Sequence, residues 1–174
     1  DRLFIAQIFW LVAGWILFLL VTLINYQFFL RMAYFIYGLN LVFLIATSFI
    51  GKIALGAQRW LDLGFFSYQP SETMKTALVL VMARFMTKKI HPDGLGVKDL
   101  VAPLIIILIP FVITARQPDL GTAMMMFIIG ASMLLFIGIK KRMLMACALV
   151  VAFALPIGYF CALRDFQRHR IETF

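Results

Sequence analysis

Charged residues are scarce in this sequence. Only 14% of the 174 residues are Asp, Glu, Lys or Arg, whereas soluble globular domains contain about 25%, and 64% of the residues are hydrophobic. A chain with so little charge does not resemble a soluble domain. The composition therefore predicts an integral membrane protein.

Residues that commonly bind metals are also few. The two histidines, His91 and His169, lie far apart, and the two cysteines, Cys147 and Cys161, share one apolar run. This distribution predicts no His/Cys metal site. Lys and Arg outnumber Asp and Glu by 16 to 8, but they fall between apolar runs, where membrane topology explains them. We therefore predict no nucleic-acid binding.

Six apolar runs, each bounded by charges, Gly or Pro, predict six membrane-spanning helices. The third run is long enough only if its helix begins at Pro70, and proline suits a first helical position because its missing amide hydrogen is not needed there. The predicted fold is one all-α polytopic membrane bundle with an amphipathic loop at 51–69. The predicted spans are 4–24, 32–50, 70–87, 100–114, 119–139 and 143–163. Small residues are expected at the helix contacts, namely Gly14, Gly38, Gly121, Gly130 and Gly158.

The basic residues in the connecting loops predict an orientation. Loops 25–31, 87–99 and 139–142 hold seven Lys or Arg residues, whereas loops 51–69 and 115–118 hold three. Because cytoplasmic loops are enriched in Lys and Arg, the first set is predicted to be cytoplasmic. Loop 51–69 and the starts of the third and fifth spans then face outward.

Glu72 and Lys75 are the first candidates for function. They lie three residues apart, on one face of the third span and about one turn below its outer end. A charged pair within a span is costly and often marks a functional site. In the alternative interpretation, Glu72 complements the helix dipole and Lys75 reaches up to the membrane surface.

Two arginines and an aspartate on the same outer side extend this group. With Lys75, Arg59 and Arg116 form a plausible cationic cradle for a phosphate or pyrophosphate, because guanidinium groups bind such oxygens at two points. Asp119 adds a second carboxylate. The alternatives are a solvated Arg59 within an aromatic belt and an Asp119 that serves only as the first-turn acid of its helix.

Five segments together resemble a known family. GAQRWLDLG begins at Gly56, QPSETMK at Gln69, with ARF nine residues on, then QPDLGTA at Gln117 and RDFQRHR at Arg164. Their order, spacing and topology resemble the SEDS family of cell-wall polymerases over essentially the whole chain. Gln58 and Asp62 around the first arginine are more similar to elongation members of the family than to division members.

The resemblance implies a ten-span peptidoglycan glycosyltransferase of the bacterial cytoplasmic membrane. Such enzymes polymerise lipid II, an undecaprenyl-pyrophosphate-linked disaccharide pentapeptide, outside the membrane with a class B penicillin-binding protein as partner. A carboxylate would accept the proton of the acceptor hydroxyl, while cations, or a divalent ion such as Mg²⁺ or Mn²⁺, would stabilise the departing diphosphate. The residues expected to bind substrate or support the site are Arg59, Gln69, Ser71, Glu72, Lys75, Arg116 and Asp119.

One departure from the family pattern limits these expectations. The aspartate regarded as catalytic in the family follows an RxR element similar to Arg168-His169-Arg170, and this sequence ends at Phe174. We therefore expect an internal piece of the enzyme that holds no catalytic residue and is inactive alone. Two other functions stay open: a flippase or transporter for the lipid-linked precursor, and a noncatalytic scaffold for the penicillin-binding protein.

Overall fold

Five helices and three short strands form the part of the chain that the structure describes. The structure is a computed structural model, and it describes residues 2–54, 57–62, 64, 67–88 and 96–137. The predicted sixth span, 143–163, and Gly158 lie outside these residues. The helices are α1 (Arg2–Thr22), α2 (Tyr26–Ile50), α3 (Pro70–Lys88), α4 (Val97–Arg116) and α5 (Leu120–Ile137).

The helices differ in how far they could serve as membrane spans by themselves. Helices α1, α2 and α4 are long and apolar enough to cross a membrane, and α5 is a shorter apolar helix. Most apolar side chains of α1 are exposed, as lipid contact requires. The predicted class, an all-α polytopic membrane protein, is confirmed.

Helix α3 lies at the centre of the packed bundle, in contact with α2, α4 and α5. Its buried face is formed by Met74, Leu78, Val81 and Met82, which pack in one cluster with Ile107 of α4 and Met126 of α5. This burial explains how a helix that carries Glu72, Lys75 and Arg84 can still sit inside the bundle: its apolar face meets protein and its charged residues lie near its two ends.

The prediction that glycines lie at helix contacts is confirmed at one described position, Gly130. A Cβ atom added to Gly130 would lie 2.4 Å from Cγ1 of Ile107, so α5 can approach α4 this closely only without a side chain there. A Cβ atom at Gly14, Gly38 or Gly121 would meet nothing within 4 Å. The expectation that these three glycines mediate helix contacts is wrong for the described residues.

Helix α2 begins earlier than predicted. The sequence predicts a loop at 25–31, but Asn25 accepts a hydrogen bond from the Gln27 amide and caps a helix that starts at Tyr26. Asparagine is among the best N-cap residues, which accounts for the earlier start. Arg31 therefore lies in the second turn of α2.

The segment 51–69, predicted as an amphipathic loop, contains a small antiparallel sheet of strands β1 (Lys52–Ala54), β2 (Ala57–Asp62) and β3 (Ser67–Tyr68), in that order. Leu61 on β2 pairs with Tyr68 and is buried. Strand β2 contacts both α2 and α3, and the Tyr68 ring packs edge-on against Phe43 at 6.1 Å. The apolar residues of this segment thus attach the sheet to the bundle.

Two contacts show that α3 and α5 begin deeper in the bundle than the last residue of α2. Thr73 donates a hydrogen bond to Asn40, which lies ten residues, or about 15 Å, before the last residue of α2. Gln117, just before α5, bonds to Leu44 and Ser48 of α2. The starts of both helices are therefore recessed, and the sheet follows the end of α2 on the same side.

Candidate functional site

The two Gln-Pro sequences lie at one end of the bundle, which we call the site end. There α2 and α4 end, α3 and α5 begin, and the sheet contacts α2 and α3. Every sequence-predicted site residue belongs to this end. The two helix starts, however, use their acidic residues differently.

Asp119 is the N-cap of α5. Its Oδ1 accepts from the Thr122 amide at 3.3 Å, its Oδ2 accepts from the Thr122 hydroxyl at 2.9 Å, and its carbonyl accepts from the Ala123 amide. These bonds satisfy helix donors that would otherwise lack partners. The sequence predicts Asp119 in the first turn of its helix. In the structure α5 begins at Leu120, two residues after Pro118, so Asp119 lies one position before the first turn.

Arg59 reaches Asp119 from strand β2. Its Nη1 lies 3.6 Å from Oδ2 of Asp119, and its Nη2 donates to the Pro118 carbonyl at 3.5 Å. The carboxylate side chain is only 9% exposed and the guanidinium 27%. The pair therefore links the sheet to the start of α5 in a largely dehydrated position, where an unpaired charge would be costly. The solvated Arg59 of the alternative interpretation is not what the structure has.

Gln117 fixes the same turn to α2. Its buried side-chain amide donates to the Leu44 carbonyl and to the Ser48 hydroxyl, both at 2.8 Å. These two bonds and the Arg59 contact hold the turn from two sides. In the sequence this glutamine stands out only as part of a motif, because its partners lie about 70 positions away and leave no local signal.

At the start of α3 the acidic residue is more accessible. Pro70 is the first residue of the helix, and the Gln69 carbonyl accepts from the Glu72 amide. Both carboxylate oxygens of Glu72 accept from the Lys75 ammonium at 2.9 Å. Glu72 is 56% exposed and Lys75 20%. This pair matches the spacing seen in the sequence, and its carboxylate contacts Lys75 while more than half of the Glu72 side chain stays exposed.

Two buried polar atoms at the site end have no hydrogen-bond partner among the described residues. They are Nε of Arg59 and Oγ of Ser71. A buried polar atom without a partner costs free energy, so such atoms often mark positions where a bound molecule supplies the missing bond. Both belong to residues predicted to bind substrate or support the site.

Three polar side chains, Tyr68, Thr73 and Asn40, form a hydrogen-bonded polar relay that the sequence alone does not indicate. The Tyr68 and Thr73 hydroxyls share a 2.5 Å hydrogen bond, and Thr73 in turn donates to Asn40 Oδ1 at 2.6 Å. The relay joins β3, α3 and α2 beside Glu72. Its members lie 28 and 33 residues apart from Asn40, so only the packed fold brings them together.

Arg116 lies at the edge of a groove of about 360 Å³ between α2 and α4. Apolar side chains form most of the walls, together with Ser48 and Gln117; they are Ile45, Phe49, Ile113 and Pro118. Arg116 is exposed and has no hydrogen-bond or ion-pair partner within the described part of the chain. Of the three cations expected to form a cradle, Arg59 and Lys75 are paired with carboxylates and Arg116 is not.

The sheet carries a further ion pair at its exposed edge. The Lys52 ammonium donates to Asp62 Oδ2, and the Gly64 amide donates to Oδ1 at 3.0 Å. The hydrogen bond from Lys52, followed by that from Gly64, lowers the pKa of the Asp62 carboxyl. Gly64 has a φ of 83°, a left-handed conformation that glycine adopts without steric cost. The ion pair joins β1 to the end of β2, and the Gly64 hydrogen bond holds the Asp62 carboxylate from the residues that follow.

In the part of the chain that the structure describes, the donor set does not fit a protein-bound divalent cation. Over the described residues, no three His, Cys, Asp or Glu side chains gather into a ligand group. The two carboxylates of the site engage Lys75 and Arg59 instead. We derive no chemical step from a metal ion.

The FtsW/RodA/SpoVE family model, described as "Cell cycle protein", matches residues 2–174. The peptidoglycan glycosyltransferase MrdB of Escherichia coli K12 is 36% identical over 137 residues, which is 79% of this chain and 36% of MrdB. The chain thus spans about a third of the length of this relative.

Two solved structures share the fold. One is from a study of a peptidoglycan synthase complex that coordinates polymerization and crosslinking; it has a TM-score of 0.77 at 25% identity and covers 92% of this chain and 47% of the other. The second is the rod shape determining protein RodA of Thermus thermophilus, with a TM-score of 0.67 at 25% identity over 81% of this chain and 46% of RodA.

Proposed function

The chain belongs to the FtsW/RodA/SpoVE family, also called SEDS, and from this premise we propose that it forms the diphosphate-binding part of a RodA-like peptidoglycan glycosyltransferase. The proposed substrate is lipid II. In the reaction, the hydroxyl oxygen of an acceptor sugar bonds to the anomeric carbon of the donor, the hydroxyl proton passes to a base, and the undecaprenyl diphosphate leaves. The 36% identity to a peptidoglycan glycosyltransferase supports this reaction class.

The observation that carries the proposal is the position of Arg116. This exposed arginine has no partner among the described residues and lies at the edge of an apolar groove. A lipid diphosphate combines an anionic group with a long apolar chain, so a cation beside an apolar groove is complementary to both parts. The atoms Arg59 Nε and Ser71 Oγ, also at the site end, would add hydrogen-bond donors.

Within this site, we assign different roles to the two acid–base pairs. Lys75 would stabilise the negative charge that grows on the departing diphosphate, and Glu72 would hold the ammonium in position until substrate arrives. Asp119 is buried and accepts three hydrogen-bond or ionic contacts, so it is poorly placed to accept a substrate proton. We therefore assign it to the support of Arg59 and not to acid–base chemistry.

The orientation and partner belong to the same proposal. The seven-to-three distribution of basic residues in the loops favours a site end that faces away from the cytoplasm, where lipid II is polymerised. The similarity to a chain in a peptidoglycan synthase complex supports a class B penicillin-binding protein as partner.

The test is polymerisation of lipid II by the full natural protein together with its penicillin-binding partner. We expect Lys75→Ala to lower the rate about 100-fold, the usual effect of removing one donor to a developing charge. The matched control is Lys98→Gln, which removes an exposed cation at the opposite end of the bundle and should leave the rate unchanged. An unchanged rate in Lys75→Ala would refute the assignment.

The same preparations distinguish the other functions. Labelled lipid II that crosses vesicle membranes without forming polymer would indicate a flippase. Capture of the penicillin-binding protein with no polymer under any condition would indicate a scaffold. Polymer formation that depends on Lys75 supports the enzyme.

A further inference from the structure

A second basic pocket lies at the end of the bundle opposite the site end. It has a volume of about 330 Å³ between the first two turns of α2 and the last two turns of α3. We call it the Arg31–Arg84 pocket, and its lining residues are Tyr26, Gln27, Leu30, Arg31, Arg84 and Thr87. None of these residues takes part in the site described above.

The lining chemistry favours an anion. Neither Arg31 nor Arg84 forms an ion pair within the described residues, and α2 has no acidic residue in its first turn. The start of α2 adds the partial positive charge of a helix N-terminus to the two guanidinium groups. Tyr26 and Gln27 can donate further hydrogen bonds. Two arginines that converge from different helices suit a phosphate group, whose oxygens they can bind at two points each.

The surroundings of the pocket indicate a lipid as the source of the phosphate. On α2, the face that holds Arg31 continues through Phe35, Leu39 and Val42, at spacings of four, eight and eleven residues. These side chains are 63%, 43% and 61% exposed. An apolar exposed stripe that runs from a basic pocket along a spanning helix matches the headgroup and acyl chain of a phospholipid. A soluble phosphate would use the pocket but not the stripe.

We propose that the Arg31–Arg84 pocket binds the phosphate of an anionic phospholipid, with an acyl chain along the Phe35, Leu39 and Val42 stripe. Basic pockets between transmembrane helices are a recurrent type of anionic-lipid site. This inference does not depend on the proposed enzymatic function, since the pocket lies at the other end of α3. The orientation argued above would place it in the cytoplasmic leaflet.

Native mass spectrometry of the full natural protein tests the proposal, with phosphatidylglycerol titrated into the detergent-solubilised protein. We expect phosphatidylglycerol to bind and phosphatidylcholine of the same chain length to bind much more weakly. Arg31→Gln and Arg84→Gln should each weaken phosphatidylglycerol binding about tenfold, because each removes charge-assisted hydrogen bonds. Lys98→Gln is the matched control: it removes one exposed cation near the same end and should change binding less than twofold.

Two outcomes would overturn the proposal or its lipid assignment, and a second variant covers the case in which one variant fails to fold. Equal weakening in Lys98→Gln and the arginine variants would mean attraction to surface charge in general and would overturn it. If millimolar inorganic phosphate binds the pocket as strongly as phosphatidylglycerol does, and so displaces the lipid, the lipid assignment is overturned. If Arg84→Gln fails to fold, Arg31→Gln decides the result, because Arg31 is exposed and its replacement does not disturb the core.

Discussion

The two Gln-Pro sequences of this protein look alike but place their acidic residues in different environments. In the first, Pro70 opens α3 and Glu72 lies in the first turn, exposed and paired with Lys75. In the second, α5 begins two residues after Pro118, so Asp119 becomes the N-cap and is buried against Arg59. The position at which each helix begins thus leaves Glu72 as an accessible charge and makes Asp119 a structural brace, a side chain that holds Arg59 and the start of α5 in place.

This difference predicts separate effects on stability and on activity. Asp119, Arg59 and Gln117 connect the sheet, α5 and α2 through contacts between distant parts of the chain. Glu72 and Lys75 contact each other within one helix turn. Loss of the first group should therefore lower the stability of the protein, whereas loss of the second should lower mainly its activity on the bound substrate.

The largest loss of stability is expected at Asp119. Asp119→Ala removes the N-cap and leaves the partly buried Arg59 without its carboxylate, which together should cost about 2 kcal/mol of unfolding free energy. The melting temperature of the detergent-solubilised protein should fall by roughly 5 °C. Asp119→Asn keeps a capping oxygen and should lose about half as much. Equal melting temperatures for both variants and the wild type would show that the brace does not exist.

Gln117 and Gln69 provide the next test, because they occupy the same place in the two motifs. Gln117→Leu removes two buried hydrogen bonds and leaves the Leu44 carbonyl with one partner fewer, at a cost of about 1 to 2 kcal/mol. Gln69→Leu is the matched control, since the described residues provide no side-chain partner for Gln69. Thermal denaturation should separate the two. Similar losses would contradict the distinction between the turns.

Glu72→Gln should change stability little. A pair three residues apart on a helix surface contributes a few tenths of a kcal/mol, and Glu72 is more than half exposed. The melting temperature should stay within about 2 °C of the wild type, while lipid II polymerisation falls because Lys75 loses its positioning partner. A fall in melting temperature as large as that of Asp119→Ala would place this pair among the structural contacts.

The smallest effect is expected at the exposed edge of the sheet. Because the Lys52 and Gly64 hydrogen bonds lower the pKa of Asp62 in the folded protein, they stabilise the sheet above the ordinary aspartate pKa. That contribution is lost as the pH falls through the lowered value. Asp62→Asn should therefore melt slightly below the wild type at pH 7, and this difference should shrink steadily as the pH falls below the ordinary aspartate pKa and through the lowered value. A difference that persists at low pH would contradict this explanation.

The sequence predicted the helical class and the proximity of Glu72 and Lys75, since both follow from apolar run length and from helical spacing. It could not predict the Arg59–Asp119 pair, which joins residues 60 positions apart, or the partners of Gln117. The sheet was missed because its apolar residues were interpreted as interfacial contacts and its strands are only two to six residues long. The early start of α2 is hard to predict because Arg31 favours a loop in an apolar sequence, although the N-cap Asn25 is the stronger signal.

The most direct test of the central claim is the thermal shift that undecaprenyl diphosphate causes in the full natural protein and in Lys75→Ala. If Lys75 binds the diphosphate and the Arg59–Asp119 pair only braces the site, both proteins should melt at the same temperature without ligand. Undecaprenyl diphosphate should then raise the melting temperature of the wild type clearly more than that of Lys75→Ala, which keeps Arg116 but lacks the ammonium group. An equal rise in both proteins, or a lower melting temperature for Lys75→Ala without ligand, would contradict this division of roles.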